Sequence, residues 1–203
     1  MNSQLENALF AELLEVDEAT RSRLHARLAA EAEAAGVLDI AYRTVDSPLG
    51  VLLLAATDQG LVRVAYAIEN HDRVLEELAT RVSSRVLHAP ARLDLAAREI
   101  DDYLAGRRTN FDLPLDLRLS TGFRRIVLAH LPDIAYGSTA SYASVAVAAG
   151  SPRAVRAVGS ACATNPLPVV LPCHRVVRSD GTIGQYVGGS EAKRTLLSME
   201  SAA

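Results

Sequence analysis

The sequence predicts an α+β fold: a small N-terminal sheet domain, then a mostly helical C-terminal region carrying a helix-turn-helix outline. Three observations predict it. Between residues 40 and 66, short β-rich runs alternate with Asp- and Gly-bearing turns. From Thr121 onward, apolar positions recur at helical spacing around a turn carrying Gly150. The chain is also 203 residues long and 49% hydrophobic, enough for one large or two small domains with a real core.

Taken in order, residues 1 to about 36 place Leu5, Leu9, Leu13 and Val16, then Leu24 and Leu28, on one face of an amphipathic helix that the Ala-rich run and Gly36 close. Two readings stand open for it: a helix packed on the body of the protein, or a segment for self-association or a partner. From Ile40, YRTV, VLLLAAT and LVRVAYA read as antiparallel strands, separated by the turns at 46–50 and 58–60. Helical patterns follow at about 72–82 and 91–105, ending at Gly106. Phe123, Ile126, Val127 and Leu131 make one face of the next helix. Ser141 is the N-cap of another that runs to Gly150, and Ser151-Pro152 opens a third. The boundaries expected are an N-terminal extension over 1–38, an α+β domain over 39–118 and a third region over 119–203.

Composition excludes several classes. No run of about 18 apolar residues exists to cross a membrane as a helix. Glu6, Glu12 and Glu15 stand where a secretory signal would be basic and then apolar, so the expectation is a cytoplasmic protein with no membrane partner. The two cysteines, Cys162 and Cys173, are expected to be free thiols, and they lack the companions of a zinc site, so no metal is expected. Net charge is −3 but uneven: residues 1–120 hold 13 Lys+Arg against 20 Asp+Glu, and residues 121–203 hold 8 against 4. The C-terminal excess permits phosphate contact without demonstrating it.

The chemistry centres on LPCHRVV, residues 171–177, where one cysteine stands between a proline and a histidine. A thiol reacts as thiolate, so a reactive cysteine needs a base or positive field to bring its pKa down from about 8.5. On an extended strand His174 would point away from Cys173, so a water relay or a kinked backbone is required, and Pro168 and Pro172 suggest the kink. A histidine base in turn needs a carboxylate to set its tautomer, and Glu200 can supply one. The alternative is that Cys173 is a buried small hydrophobe and His174 a satisfied core histidine.

Pro172-Cys173-His174-Arg175-Val176-Val177 resembles the active-site motif of the O6-alkylguanine-DNA alkyltransferases, the methylated-DNA-[protein]-cysteine methyltransferases. The surroundings are similar too: Asn165-Pro166, the stretch Arg153 to Gly159, Tyr136-Gly137, Ser141-Tyr142, the Gly184 to Gly189 loop and Lys193 to Leu197. The resemblance is strong across about 121–200, looser over 39–120 and absent from 1–38. It implies a ribonuclease H-like N-terminal domain and direct, single-use transfer of an alkyl group from O6-alkylguanine, and also O4-alkylthymine, to Cys173, without a cofactor. It implies that His174 deprotonates Cys173 through water, that Glu200 orients His174, and that Asn165 braces the turn. Double-stranded DNA would be the partner, met in the minor groove with little sequence specificity. Arg156 would fill the gap left by the flipped nucleotide, while Ala154, Ala157 and Ser160 allow close approach. Tyr142 would crowd the phosphate and protonate the departing guanine at N3. Tyr186, Val176, Ile183, Val187 and Gly188 would line the base pocket, and Arg175 would tie down the active-site strand.

Some positions depart from the pattern. Gln185 and Val187 stand where smaller or hydroxylated residues are common, Ala163 replaces a basic side chain, and the zinc ligands of some members are absent. Two other function classes remain in view. A damage sensor that flips and flags the lesion would lack the cysteine, and a Cys-His hydrolase would need an oxyanion hole that the sequence does not locate.

Overall fold

The computed structural model describes residues 17–201, which divide into two units, 17–38 and 39–201. The apolar positions Leu5, Leu9, Leu13 and Val16 lie outside the described residues. In the first unit, helix α1 (Glu18–Ala34) starts at Asp17, whose carboxylate accepts from the Thr20 amide at 2.9 Å. It ends where Gly36 takes a φ of 64°, with the Gly36 amide donating to the Glu33 carbonyl and the Val37 amide to the Ala32 carbonyl. That is a Schellman closure, which needs a residue without a Cβ penalty at this position. The helix buries none of its side chains, and Leu24 and Leu28 are half exposed.

The second unit opens with β1 (Ile40–Val45), β2 (Leu52–Thr57) and β3 (Gly60–Tyr66), paired antiparallel in sequence. A short β4 (Val86–His88) adds parallel to β1, giving the order β3-β2-β1-β4. The β4 strand is not in the sequence expectation: three residues are too few to show a period. Every residue of β2 is buried, which explains its unbroken apolar run, since a strand covered on both faces has no polar side to show. On one face, α2 (His71–Arg81) packs Val74 and Leu78 against Ile40, Leu53, Ala55, Val62 and Ala65. Each leucine so buried contributes about 1.5–3 kcal/mol. The chain after α3 (Asp94–Leu104) returns along β3: the Leu61 amide donates to the Pro114 carbonyl at 2.8 Å, and the Asp116 amide to the Leu61 carbonyl at 2.9 Å. Gly60 makes this approach possible, because a Cβ there would overlap the Pro114 carbonyl.

Helices α4 (Gly122–His130), α5 (Tyr142–Ala148) and α6 (Val155–Ala163) pack on one another. Ser141 caps α5, accepting from the Ser144 amide at 3.0 Å. Two expectations need correction. The buried stripe of α4 is Val127, Leu128 and then Leu131, while Ile126 is 48% exposed, one residue off the predicted face. Helix α6 begins at Val155 rather than at Pro152, because the Ala154 amide is used in a turn to the Ser151 carbonyl at 2.8 Å. Beyond α6, a loop leads to a 3-10 turn at Cys173–Arg175 and to β6 (Val176–Val177), which pairs parallel with β5 (Ala140–Ser141). Helix α7 (Gly189–Ser201) completes the chain.

Candidate active site

Cys173 is placed by Asn165. The Leu167 amide needs an acceptor, which is Asn165 Oδ1 at 3.0 Å; this orients Nδ2 to donate to the Leu171 carbonyl at 2.9 Å and to Cys173 Sγ at 3.1 Å. Val169, a β-branched residue buried in this loop, sits at φ 73°, a conformation costing about 1–3 kcal/mol that the surrounding bonds must hold. Pro172 takes φ −79° and ψ 60°, and the Cys173 amide donates to the Leu171 carbonyl at 2.7 Å. That inverse γ-turn is the kink at Pro172. Cys173 and His174 therefore lie on a 3-10 turn, not on the extended strand considered from sequence, and both are buried.

His174 is anchored from α7. Its Nε2 lies 2.6 Å from Glu200 Oε1, and because Glu200 is ionised, Nε2 must carry the proton. The Tyr103 hydroxyl donates to the same carboxylate oxygen, Arg175 Nε donates to Oε2 at 2.9 Å, and the Gly137 amide donates to Oε2 at 3.1 Å. Burial by itself would raise the Glu200 carboxyl, but the hydrogen bonds from His174, Arg175 and Tyr103 outweigh it and hold the pKa at about 2. Arg175 is tied down further by its Nη1 bond to the Ile134 carbonyl at 2.7 Å and lies over the Tyr136 ring at 5.6 Å. His174 Nδ1 is buried and meets no hydrogen-bonding partner among the described residues. A carboxylate-anchored imidazole with a free Nδ1 lone pair is equipped to accept a proton.

Burial pushes the Cys173 thiol up to about 11, against the Asn165 bond and the Lys193 charge, which pull it down. Burial also lowers the His174 pKa, against the pull of Glu200. The resting pair is therefore a neutral thiol and a neutral imidazole. Lys193 is buried on α7 and donates from Nζ to the Val176 carbonyl at 2.6 Å. Cys162 is a second buried free thiol.

Among the remaining sequence candidates, Tyr186 meets this centre directly. Tyr186 is buried, its ring edge-on to His174 at 6.3 Å, and its hydroxyl lies 3.0 Å from that of Tyr66. Tyr142 is half-buried at the start of α5, and a Cβ on Gly184 would overlap its hydroxyl. Ile183 and Gly188 are half-buried. Val187 lines a cleft of about 250 Å³ with Arg63, Glu69, Thr164 and Asn165. Arg156, Ala157 and Ser160 share the exposed face of α6, with Ala154 half-buried just before it. A separate cavity of about 320 Å³, lined by Phe111, Tyr136 and residues 169–172 among others, includes neither Cys173 nor His174.

Comparison with known proteins is decisive about kinship. Residues 40–117 match the 6-O-methylguanine DNA methyltransferase ribonuclease-like domain, and residues 122–202 match the DNA binding domain of the same family. The chain belongs to the 6-O-methylguanine DNA methyltransferase family. A methylated-DNA–protein-cysteine methyltransferase of Mycolicibacterium paratuberculosis is 41% identical over 161 residues, covering 79% of this chain and 92% of that one. The crystal structure of Mycobacterium tuberculosis O6-methylguanine methyltransferase superposes with a TM-score of 0.69 at 36% identity, covering 80% of this chain and 93% of that one. The same protein in complex with DNA matches with equal score and coverage. Membership makes this chain a methyltransferase of that class with an α+β fold. Among the described residues, no helix is long and apolar enough to cross a membrane.

Within this member of the family, sequence reasoning missed Tyr103, Lys193 and Tyr66. Lys193 carried a usable signal, since Ala192, Lys193, Leu196 and Glu200 fall on one buried stripe of α7, where a charged residue needs a specific partner. Tyr103 reads as an ordinary core tyrosine on α3, and nothing local connects it with Glu200.

Proposed function

We propose that the chain repairs DNA by moving the alkyl group of O6-alkylguanine, and of O4-alkylthymine, onto Cys173 in a single, irreversible event. The observation that carries the reading is His174 Nδ1, buried and without a partner among the described residues, on an imidazole whose other nitrogen is held by Glu200. A water between Cys173 and His174 passes the thiol proton to Nδ1. The thiolate, which accepts from Asn165 Nδ2, attacks the alkyl carbon; the S–C bond forms, the C–O6 bond breaks, and the electron pair stays on the guanine. Tyr142 protonates that guanine at N3. Imidazolium is stabilised by the Glu200 carboxylate, and the thioether has no leaving group at ordinary pH, so the protein is used once.

The reacting nucleotide is rotated out of the duplex, since the cysteine is buried. Arg156, exposed and without an ion-pair partner among the described residues, takes the vacated place in the stack. Ala154, Ala157 and Ser160 are short enough to let α6 lie in the minor groove with little sequence preference. Tyr186, Val176, Ile183, Val187 and Gly188 line the base pocket. In this reading residues 39–118 form the sheet domain, residues 119–203 form the DNA-binding and catalytic domain, and 1–38 is an extension of separate role.

The test is the intact mass of the protein after mixing with excess duplex carrying O6-methylguanine. One methyl gained per chain on Cys173, and none in Cys173→Ser, is the expected result. Multiple turnovers would support a hydrolase-like cycle instead, and lesion binding without a mass change would support a sensor.

A further inference from the structure

The proposed pocket loop, residues 183–188, is held between two tyrosines. Tyr142 presses on Gly184 from α5, and Tyr66, the last residue of β3, presses on Gly188, where an added Cβ would lie 2.6 Å from the Tyr66 ring. Tyr66 is only 2% exposed, and its ring meets that of Tyr186 edge-on at 5.8 Å. The two hydroxyls, 3.0 Å apart, carry two protons, and the bond between them uses one.

The end of β3 is rigidly held. The Tyr66 amide donates to Glu69 Oε1 at 2.9 Å, and Glu69 pairs with Arg63. Arg63 Nη1 donates to the Val64 carbonyl at 2.7 Å and to that of Pro166 at 3.3 Å, while the Val64 amide donates to the Pro166 carbonyl at 2.8 Å. Pro166 follows Asn165, which bonds Cys173 Sγ. One strand end is thus tied both to the pocket loop and to the turn that carries the thiol.

We propose that Tyr66 is a specificity-determining residue: contributed by the N-terminal sheet, it backs Gly188 and Tyr186 and limits the size of the O6-alkyl group that reaches Cys173. The inference rests on the repair reading above. Full-length wild-type, Tyr66→Phe and Tyr66→Leu chains are mixed with duplexes carrying O6-methylguanine or O6-benzylguanine, transfer rates are read by intact mass, and thermal melts are run alongside. The benzyl-to-methyl rate ratio is expected to rise about threefold in Tyr66→Phe and about tenfold or more in Tyr66→Leu, the latter starting at the low end of what one methylene of room is worth in an apolar pocket. Rates that fall in parallel, leaving the ratio flat in folded variants, overturn the assignment and make Tyr66 a packing residue only. Should Tyr66→Leu fail to fold, a flat ratio in Tyr66→Phe is enough to overturn it. A wild-type chain that transfers neither group removes the repair reading and this one with it, whereas wild-type transfer with a flat ratio removes only this one.

Discussion

Replacing Glu200 by Gln tests the anchored imidazole through two independent readouts. The carboxyl falls from its ordinary 4.5 to about 2 in the fold, so the folded state gains about 3 kcal/mol from its ionisation at pH 7. The group is 2% exposed, so solvent screening takes little from that figure. A depressed carboxylate pKa stabilises above the unfolded value and loses that stabilisation as pH falls toward the folded one. The stability gap between wild type and Glu200→Gln is therefore expected to be about 3 kcal/mol at pH 7 and to shrink by about half near pH 3. The same loss leaves Arg175 buried without its carboxylate, in line with about 3–5 kcal/mol for breaking a buried pair. Urea melts at a series of pH values measure the gap. Alkyl transfer should slow about 10²–10⁴-fold, since imidazolium loses its counter-charge. A gap that stays constant with pH, together with an unchanged transfer rate, would refute the reasoning.

Three further outcomes follow from the same geometry. Asn165→Ala strands the Leu167 amide and the Leu171 carbonyl and should cost about 2–4 kcal/mol in urea melts; with its bond to Sγ gone, the thiol titrates higher and the pH-rate profile for Cys173 alkylation moves up. Arg156→Ala sits on an exposed face and should leave stability within about 0.5 kcal/mol, while slowing transfer from duplex DNA and sparing transfer from the free alkylated base; equal slowing of both would refute a role in DNA. Gly188→Ala drives a methyl into the Tyr66 ring and should cost about 1–3 kcal/mol by thermal melt, with transfer slowed as the loop shifts.

The sequence carried the strands of the N-terminal sheet because each is an apolar run bounded by Asp or Gly turns, and it carried the C-terminal end of α1 and the start of α5 because Gly36 and Ser141 act through their own backbone neighbours; the start of α1 at Asp17 it did not mark. It missed β4, which exists only through its pairing with β1, and the true start of α6, where a turn hydrogen bond competes with a cap. Cys173, His174 and Glu200 were legible as residue types that belong together, and Pro172 as a source of curvature.

By itself, then, the sequence determined the α+β class, the order of its three main strands and of the helices that follow, the motif around the thiol and the kinship it implies, since these depend on residues near one another or on a pattern read in register. Only the tertiary structure decided that Tyr103 joins His174 and Arg175 on one carboxylate, that His174 Nδ1 is left without a partner among the described residues, and that Tyr66 reaches Tyr186 across 120 residues of chain. Those contacts join segments far apart in sequence. Their partners are selected by packing and by the cost of an unpaired buried polar group, neither of which leaves a local trace.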